Sequence, residues 1–484
     1  MLFPTITFAV FFLVVYAANW LLMPRLRLWK WFIIAASYVF YGWWDWRFVL
    51  LLVAATFVNQ ALGVQIARAR GRRGGGRRGG GRAARRWLAL SVVANLAALG
   101  YFKYMDFFAA NLDHLLGSVG LGAPLPLLRI LLPVGISFLV FRVLTYTIDI
   151  YRGELAPAST LDFGVYVAFF PYLLAGPIAR ARDFLPQLRA PRDPRGVDAG
   201  RAFILILGGL AKKMLIADYL STHIVNGVFA APQSFSSWET LWGIAAYSVQ
   251  IYCDFSAYSD IAIGVSLLLG FELPENFNAP YTARTIQDFW RRWHITLSSW
   301  LRDYLYIPLG GSRKGRGRTY VNLIATFLLA GLWHGAGWTF VFWGGMHGVG
   351  LALERARADA RRARGLREPG ATPGARALQR LAVFVFVSVA WVFFRADSMG
   401  GAFAVLWRLV AGLGSIGAAV TWPVVGLVVL GIGIQYVPRG LSERLEGGLS
   451  RIGWAGQGAV LALALFLIAT LGPQGAAEFL YFKF

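Results

Sequence analysis

Five histidines are the chain's candidates for proton transfer near neutral pH, and one stands where a polar ring is least expected. His334 interrupts "LLAGLWHGAGWTFVFWGG" (328–345), a run that otherwise reads as membrane interior. An ionisable side chain in hydrocarbon is costly and by default marks a functional site. A neutral imidazole avoids most of that cost and remains a competent general base. Trp333 supplies a bulky wall beside it and Gly335 a small one, so substrate or backbone can approach the ring closely. The competing reading of His334 is an interhelical hydrogen bond.

His294 lies in "TIQDFWRRWHITLSSWLRDYLYIPLGGSRKGR" (285–316). On a helical wheel Phe289, Trp290, Trp293, Leu297, Trp300, Leu301 and Tyr304 fall in one apolar sector. Asp288, Arg291, Arg292, Arg302 and Asp303 fall on the other side. The pattern predicts one amphipathic helix on the cytoplasmic interface, with His294 at the inner edge of the apolar sector, as a site residue or a snorkelling interfacial one. Arg291 and Arg292 suit an anionic, phosphate-bearing substrate or lipid headgroups equally well.

A third cluster is "QIYCDFSAYSDIAIG" (250–264), where Asp254 and Asp260 sit in an apolar setting and need partners. They orient a histidine, pair with Arg291 or Arg292, or pin two helices together. Cys253 is adjacent, but a covalent acyl-cysteine would need an activating base, and the sequence requires none. His114 and His223 read as solvated loop residues. His347, in "WGGMHGVG", suits a packing contact or a site residue. No two histidines are spaced as metal ligands, and there is no Lys-Ser/Thr phosphate loop or G-x-S-x-G elbow. These absences argue against metal, ATP-hydrolysing and serine-hydrolase chemistry.

The elements that must position these groups are membrane helices. Of 484 residues, 57% are hydrophobic and 15% charged, and runs such as "PTITFAVFFLVVYAANWLLM" (4–23) recur throughout. The first run is too long for a cleaved signal peptide and is read as a span. Aromatic stretches such as "YVFYGWWDWRF" (38–48) suit interfacial belts. The net charge of +23 is confined mainly to short loops: residues 24–30, 67–86, 178–201, 311–318 and 354–380 carry 30 of the 47 Lys and Arg. That is a positive-inside pattern placing the five loops in the cytoplasm, and it argues against nucleic acid as a partner. A single cysteine excludes an intrachain disulfide framework.

The reading is a single membrane domain over 1–484, all-α and polytopic, with 67–86 and 354–377 as flexible basic cytoplasmic loops. Spans are expected near 5–23, 31–45, 47–66, 87–104, 127–148, 202–220, 319–333, 337–353, 378–394, 421–437 and 455–471. Residues 238–270 are one unusually long helix or contain a re-entrant segment. Residues 161–177 are a broken helix at Pro171 and Pro177, tolerated where protein or a water-filled cavity surrounds it. No internal repeat is evident, which disfavours a transporter of inverted halves.

At this point the chain resembles the membrane-bound O-acyltransferase family, in its bacterial polysaccharide-modifying branch typified by alginate O-acetyltransferase. The resemblance rests on "PVGISFLVFRVLTYTIDIYRG" (133–153), "FFPYLLAGPIAR" (169–180), "IYCDFSAYSDIAIG", "FWRRWHITLSSWLRDYLYIPLGG", "LLAGLWHGAGWTFVFWGGMHG" and "FLYFKF" (479–484). "LRDYLYIPLGG" is more similar to the acetyltransferase branch than to the D-alanyl branch. Ala257 stands where the family often has Gly, and the Arg/Gly insert at 67–86 is peculiar to this chain.

The resemblance implies a ring of roughly eleven transmembrane helices, with re-entrant and interfacial helices, around a central tunnel in the bacterial inner membrane. It makes His334 the catalytic histidine and His294 the second polar position of the site. His334 is then expected to take the acceptor's proton, and His294 to position substrate or donate to the oxyanion. Arg291, Arg292, Trp333, Asp254 and Asp260 are the expected substrate-binding residues, with no cofactor or metal. The donor implied is a cytoplasmic thioester, acetyl-CoA or an acyl carrier. The acceptor is an extracytoplasmic polysaccharide such as alginate, or a periplasmic acetyltransferase partner. The alternatives are a D-alanyl or other acyltransferase using a carrier protein, and a polysaccharide transporter.

Overall fold

A computed structural model describes residues 1–71, 81–121, 130–366, 372–412, most of 414–471, and 479–480. All regular elements among them are helical. They form two compact units, one of residues 1–202 with 262–274 and the other of 203–261 with 275–484.

The first unit opens with α1 (Ile6–Leu22), started by the Thr5 hydroxyl, which accepts from the Phe8 N–H. It continues through α2 (Leu26–Gly42), α3 (Arg47–Gly71), α4 (Arg82–Leu99), α5 (Met105–Ser118), α6 (Ile136–Arg152) and α7 (Thr160–Ala168). In α2 the buried residues Trp29, Ile33, Ser37 and Phe40 recur at helical spacing. The Trp29 Nε1–H donates to Asn19 Oδ1 at 2.7 Å. Polar side chains join three helices internally: Asn95 Nδ2 donates to Asn59 Oδ1 at 2.7 Å, and Ser91 bridges Asn59 and Thr147. Where lipid offers no alternative partner, such bonds specify which helix faces which. The break expected within 161–177 is present: α7 stops at Phe169 and Pro171 sits in a single 3₁₀ turn.

The second unit begins within α8 (Ala199–Ala211), which is followed by π-turns at Lys212–Ala217 and Ser221–Val225. The stretch 238–270 is a single helix, α9 (Ser237–Leu268), 32 residues long and mostly buried beyond its first turns, so no second segment re-enters. A different expectation fails at 285–316. The predicted interfacial helix is two short helices, α10 (Ile286–Arg292) and α11 (Ile295–Leu301), because Trp293 is extended and His294 takes a left-handed conformation (φ 42°). Then come α12 (Arg316–His334), α13 (Trp338–Ala363), α14 (Pro373–Arg395), α15 (Met399–Ala411), α16 (Trp422–Gly433) and α17 (Trp454–Leu471).

The α12–α13 hairpin is glycine-lined. A Cβ on Gly331 would collide with the Phe340 carbonyl, and one on Gly344 with the Phe327 carbonyl. The small residues let the two backbones touch.

The two basic loops are shorter than expected. α3 runs to Gly71 and α4 starts at Arg82; α13 carries the basic 354–363 segment in helical form. Residues 72–80 and 367–371 lie outside the described residues. Among the described residues, four helical stretches are long and apolar enough to cross a membrane: Arg47–Gly71, Arg82–Ser118, Ser237–Leu268 and Pro373–Arg395, beside shorter apolar helices.

Candidate active site

His334 is the last residue of α12. The helix stops because Gly335 turns to extended backbone (φ −155°, ψ 148°) before α13 begins at Trp338. The imidazole is buried, 4% exposed. It meets Trp333, Trp343 and Phe394 edge-to-face, at centroid separations of 4.9, 5.1 and 5.2 Å. These rings come from α12, α13 and α14, so the position of His334 depends on the packing of three helices.

His294 occupies the break between α10 and α11 and is fully buried. Its ring stands edge-on to Phe255 at 4.7 Å and contacts Trp333 at 6.3 Å. Its Nδ1 lies 3.0 Å from the side-chain oxygen of Asn276. That same oxygen accepts from the Thr296 hydroxyl at 2.8 Å and the Thr296 N–H at 3.3 Å. Burial pushes the His294 imidazole down to about 3, so it is neutral at physiological pH. The structure therefore brings His294, Trp333 and His334 together, although 40 positions separate the two histidines in the chain.

Of the remaining expected site residues, Arg292, Asp254 and Asp260 have other polar partners. Arg291 is exposed. Arg292 pairs with Asp288 at 2.8 Å. Asp254 pairs with Lys213 at 2.8 Å and accepts the Leu480 N–H at 2.8 Å. Asp260 pairs with Lys212 at 2.5 Å. The two aspartates thus meet lysines of the π-turn after α8, not Arg291 or Arg292. Lys213 also bonds Asp218 at 2.8 Å and lies over the Phe479 ring. Sequence reasoning passed over these lysines; two adjacent cations in an apolar stretch facing two acidic residues in another were the available signal. Asn276, in the connection "PENFNAP", gave no such signal.

His347 is buried beneath the same aromatic cluster. Its Nδ1 accepts from Trp290 Nε1–H at 3.2 Å, and its ring packs 5.0 Å from Trp343, the indole that also contacts His334. His114 is exposed, but on α5 and not in a loop; His223 is exposed in a π-turn and stacked on Tyr219 at 3.8 Å.

Chemically, His294 and His334 offer two buried imidazoles flanking one indole, with His347 packed beneath. Low polarity around a neutral imidazole strengthens its hydrogen bonds to a reacting hydroxyl and excludes competing water.

Residues 98–394 match the model of the membrane-bound O-acyltransferase family. The chain is 42% identical over 422 residues to the probable alginate O-acetylase AlgI of Azotobacter vinelandii, covering 86% of this chain and 79% of that protein. It is 37% identical over 425 residues to the peptidoglycan O-acetyltransferase of Helicobacter pylori, covering 82% and 75%. The similarity to the teichoic acid D-alanyltransferase of Bacillus subtilis is 31% over 226 residues, covering 45% and 57%.

Proposed function

The chain belongs to the membrane-bound O-acyltransferase family, is an acyltransferase of multi-pass membrane character, and on that premise we propose a specific reaction for it. It takes an acetyl group from a cytoplasmic thioester, acetyl-CoA, and delivers it across the bacterial inner membrane. The acceptor is a hydroxyl of an extracytoplasmic polysaccharide, alginate or peptidoglycan by analogy with the two acetyltransferase relatives, or of a periplasmic acetyltransferase partner.

The observation that carries this reading is the convergence of His294 and His334 on Trp333. In the proposed step His334 takes the proton as the acceptor oxygen attacks the thioester carbonyl. The new C–O bond forms, the C–S bond breaks, and the coenzyme leaves as a thiolate that recovers the proton. A thioester is an activated donor, so one base and good positioning suffice. The exposed Arg291 and the basic 311–318 segment draw in the coenzyme's phosphates. Asp254 and Asp260, held by lysines, support α9 and leave substrate contact to Trp333 and the histidines.

The test is acetyl transfer by purified protein in proteoliposomes given radiolabelled acetyl-CoA on one side and uronate polymer or peptidoglycan fragments on the other. Coupled coenzyme release and polymer labelling are expected. A D-alanyl-carrier protein as the sole productive donor, or polymer transport without thioester consumption, would replace this reading.

A further inference from the structure

The segment around His294 is built to choose which ring nitrogen carries the hydrogen. His294 has a left-handed backbone that a residue with a Cβ adopts only when its surroundings enforce it. Asn276 and Asn278 supply that enforcement on both sides. The Ile295 N–H donates to the Asn276 carbonyl at 2.9 Å, and the Asn278 N–H donates to the Arg292 carbonyl at 2.9 Å. The break between α10 and α11 is therefore zipped to residues 276–278.

The side chain of Asn276 then fixes the imidazole. A backbone N–H can only donate, so the amide atom facing Thr296 N is the oxygen. The Asn276 amide nitrogen has its own acceptor, Ser259 Oγ at 3.0 Å. The same oxygen faces His294 Nδ1 at 3.0 Å, so Nδ1 must be the donor. A neutral imidazole carries one hydrogen, which leaves Nε2 as a lone pair.

Resting on the acyl-transfer reading above, we propose that Asn276 is a positioning residue that sets the tautomer of His294, so that Nε2 accepts a hydrogen bond from substrate, while the proton itself goes to His334, and does not donate one to the developing oxyanion. The orienting partner of a catalytic imidazole commonly works this way, by fixing both tautomer and ring direction. Burial keeps the ring neutral and so preserves the arrangement at physiological pH.

Nitrogen-15 NMR on full-length protein with labelled histidine, assigned by the signals lost in His294→Gln, tests the tautomer with no activity involved. A protonated Nδ1 and a bare Nε2 are expected, and a hydrogen on Nε2 overturns the proposal. Two variants test the consequence. Asn276→Asp keeps an acceptor for Nδ1–H, so it should retain transfer on the alkaline side. Its carboxylate raises the imidazole pKa, which should move the acid limb of the rate profile upward. Asn276→Leu, lacking the acceptor, should lose about tenfold or more. Equal loss in both variants, each unfolding at the wild-type temperature, would also overturn it. A wild-type protein that transfers no acetyl group would sink the reaction reading while the NMR result still stands.

Discussion

His294 and His334 contact the same indole: the Trp333 ring lies 4.9 Å from His334 and 6.3 Å from His294, centroid to centroid. Trp333 precedes His334 on α12, so its ring registers that helix end against the α10–α11 break. A shift of either segment would be felt at both imidazoles.

Replacing His334 by Ala is expected to lower acetyl transfer by about 10²- to 10⁴-fold, the usual contribution of a positioned base. Coenzyme release in proteoliposomes measures it. Wild-type turnover in a folded variant would remove His334 from the proton transfer.

The Lys213–Asp254 pair is buried on both sides. Removing its cation by Lys213→Met should cost about 3–5 kcal/mol, because Asp254 and Asp218 both lose this lysine, whereas a Lys213→Met, Asp254→Leu double variant, with one fewer buried carboxylate, should cost less than Lys213→Met alone. Thermal unfolding in detergent, followed by tryptophan fluorescence, reads the cycle. Additive losses would mean that the two side chains are not coupled.

Gly344→Ala should destabilise by about 1–3 kcal/mol and reduce transfer, since the added methyl meets the Phe327 backbone and must push α12 and α13 apart. The same unfolding assay decides it, with unchanged stability as the contrary result.

His294 titrates lower in the folded chain, near 3, than in an unfolded one, near 6.5. Between those values the unfolded state binds the extra proton, so stability should rise with pH from about 3 to about 6.5 and then level off. His294→Gln should flatten this dependence in unfolding midpoints recorded across that range. An identical slope in the variant would show that other groups produce it.

Cys253 is buried, so a cysteine placed at exposed Ser312 is a clean reporter of sidedness. An impermeant maleimide should label Ser312→Cys in inverted vesicles and not in intact spheroplasts. The opposite pattern would reverse the orientation read from the basic loops.

Much of this was legible in the chain itself. Hydropathy and the arginine-rich loops identified the helical membrane class, because both depend on local composition. His334 and His294 stood out because ionisable groups are scarce in such runs. The helical period over 285–316 correctly assigned the buried aromatic face, yet it predicted a continuous helix. Periodicity is blind to a single left-handed residue, and nothing near His294 announces one.

The sequence by itself singled out two imidazoles, one inside an apolar run and one at the edge of an amphipathic pattern, in a chain of an acyl-transferring family. Tertiary structure alone decided that they share Trp333, that Asn276 faces Nδ1, and that lysines meet Asp254 and Asp260. Hydrophobic patterning is a property of neighbouring residues. The partner of a buried polar atom is settled only when segments far apart in the chain pack together and water is no longer an alternative.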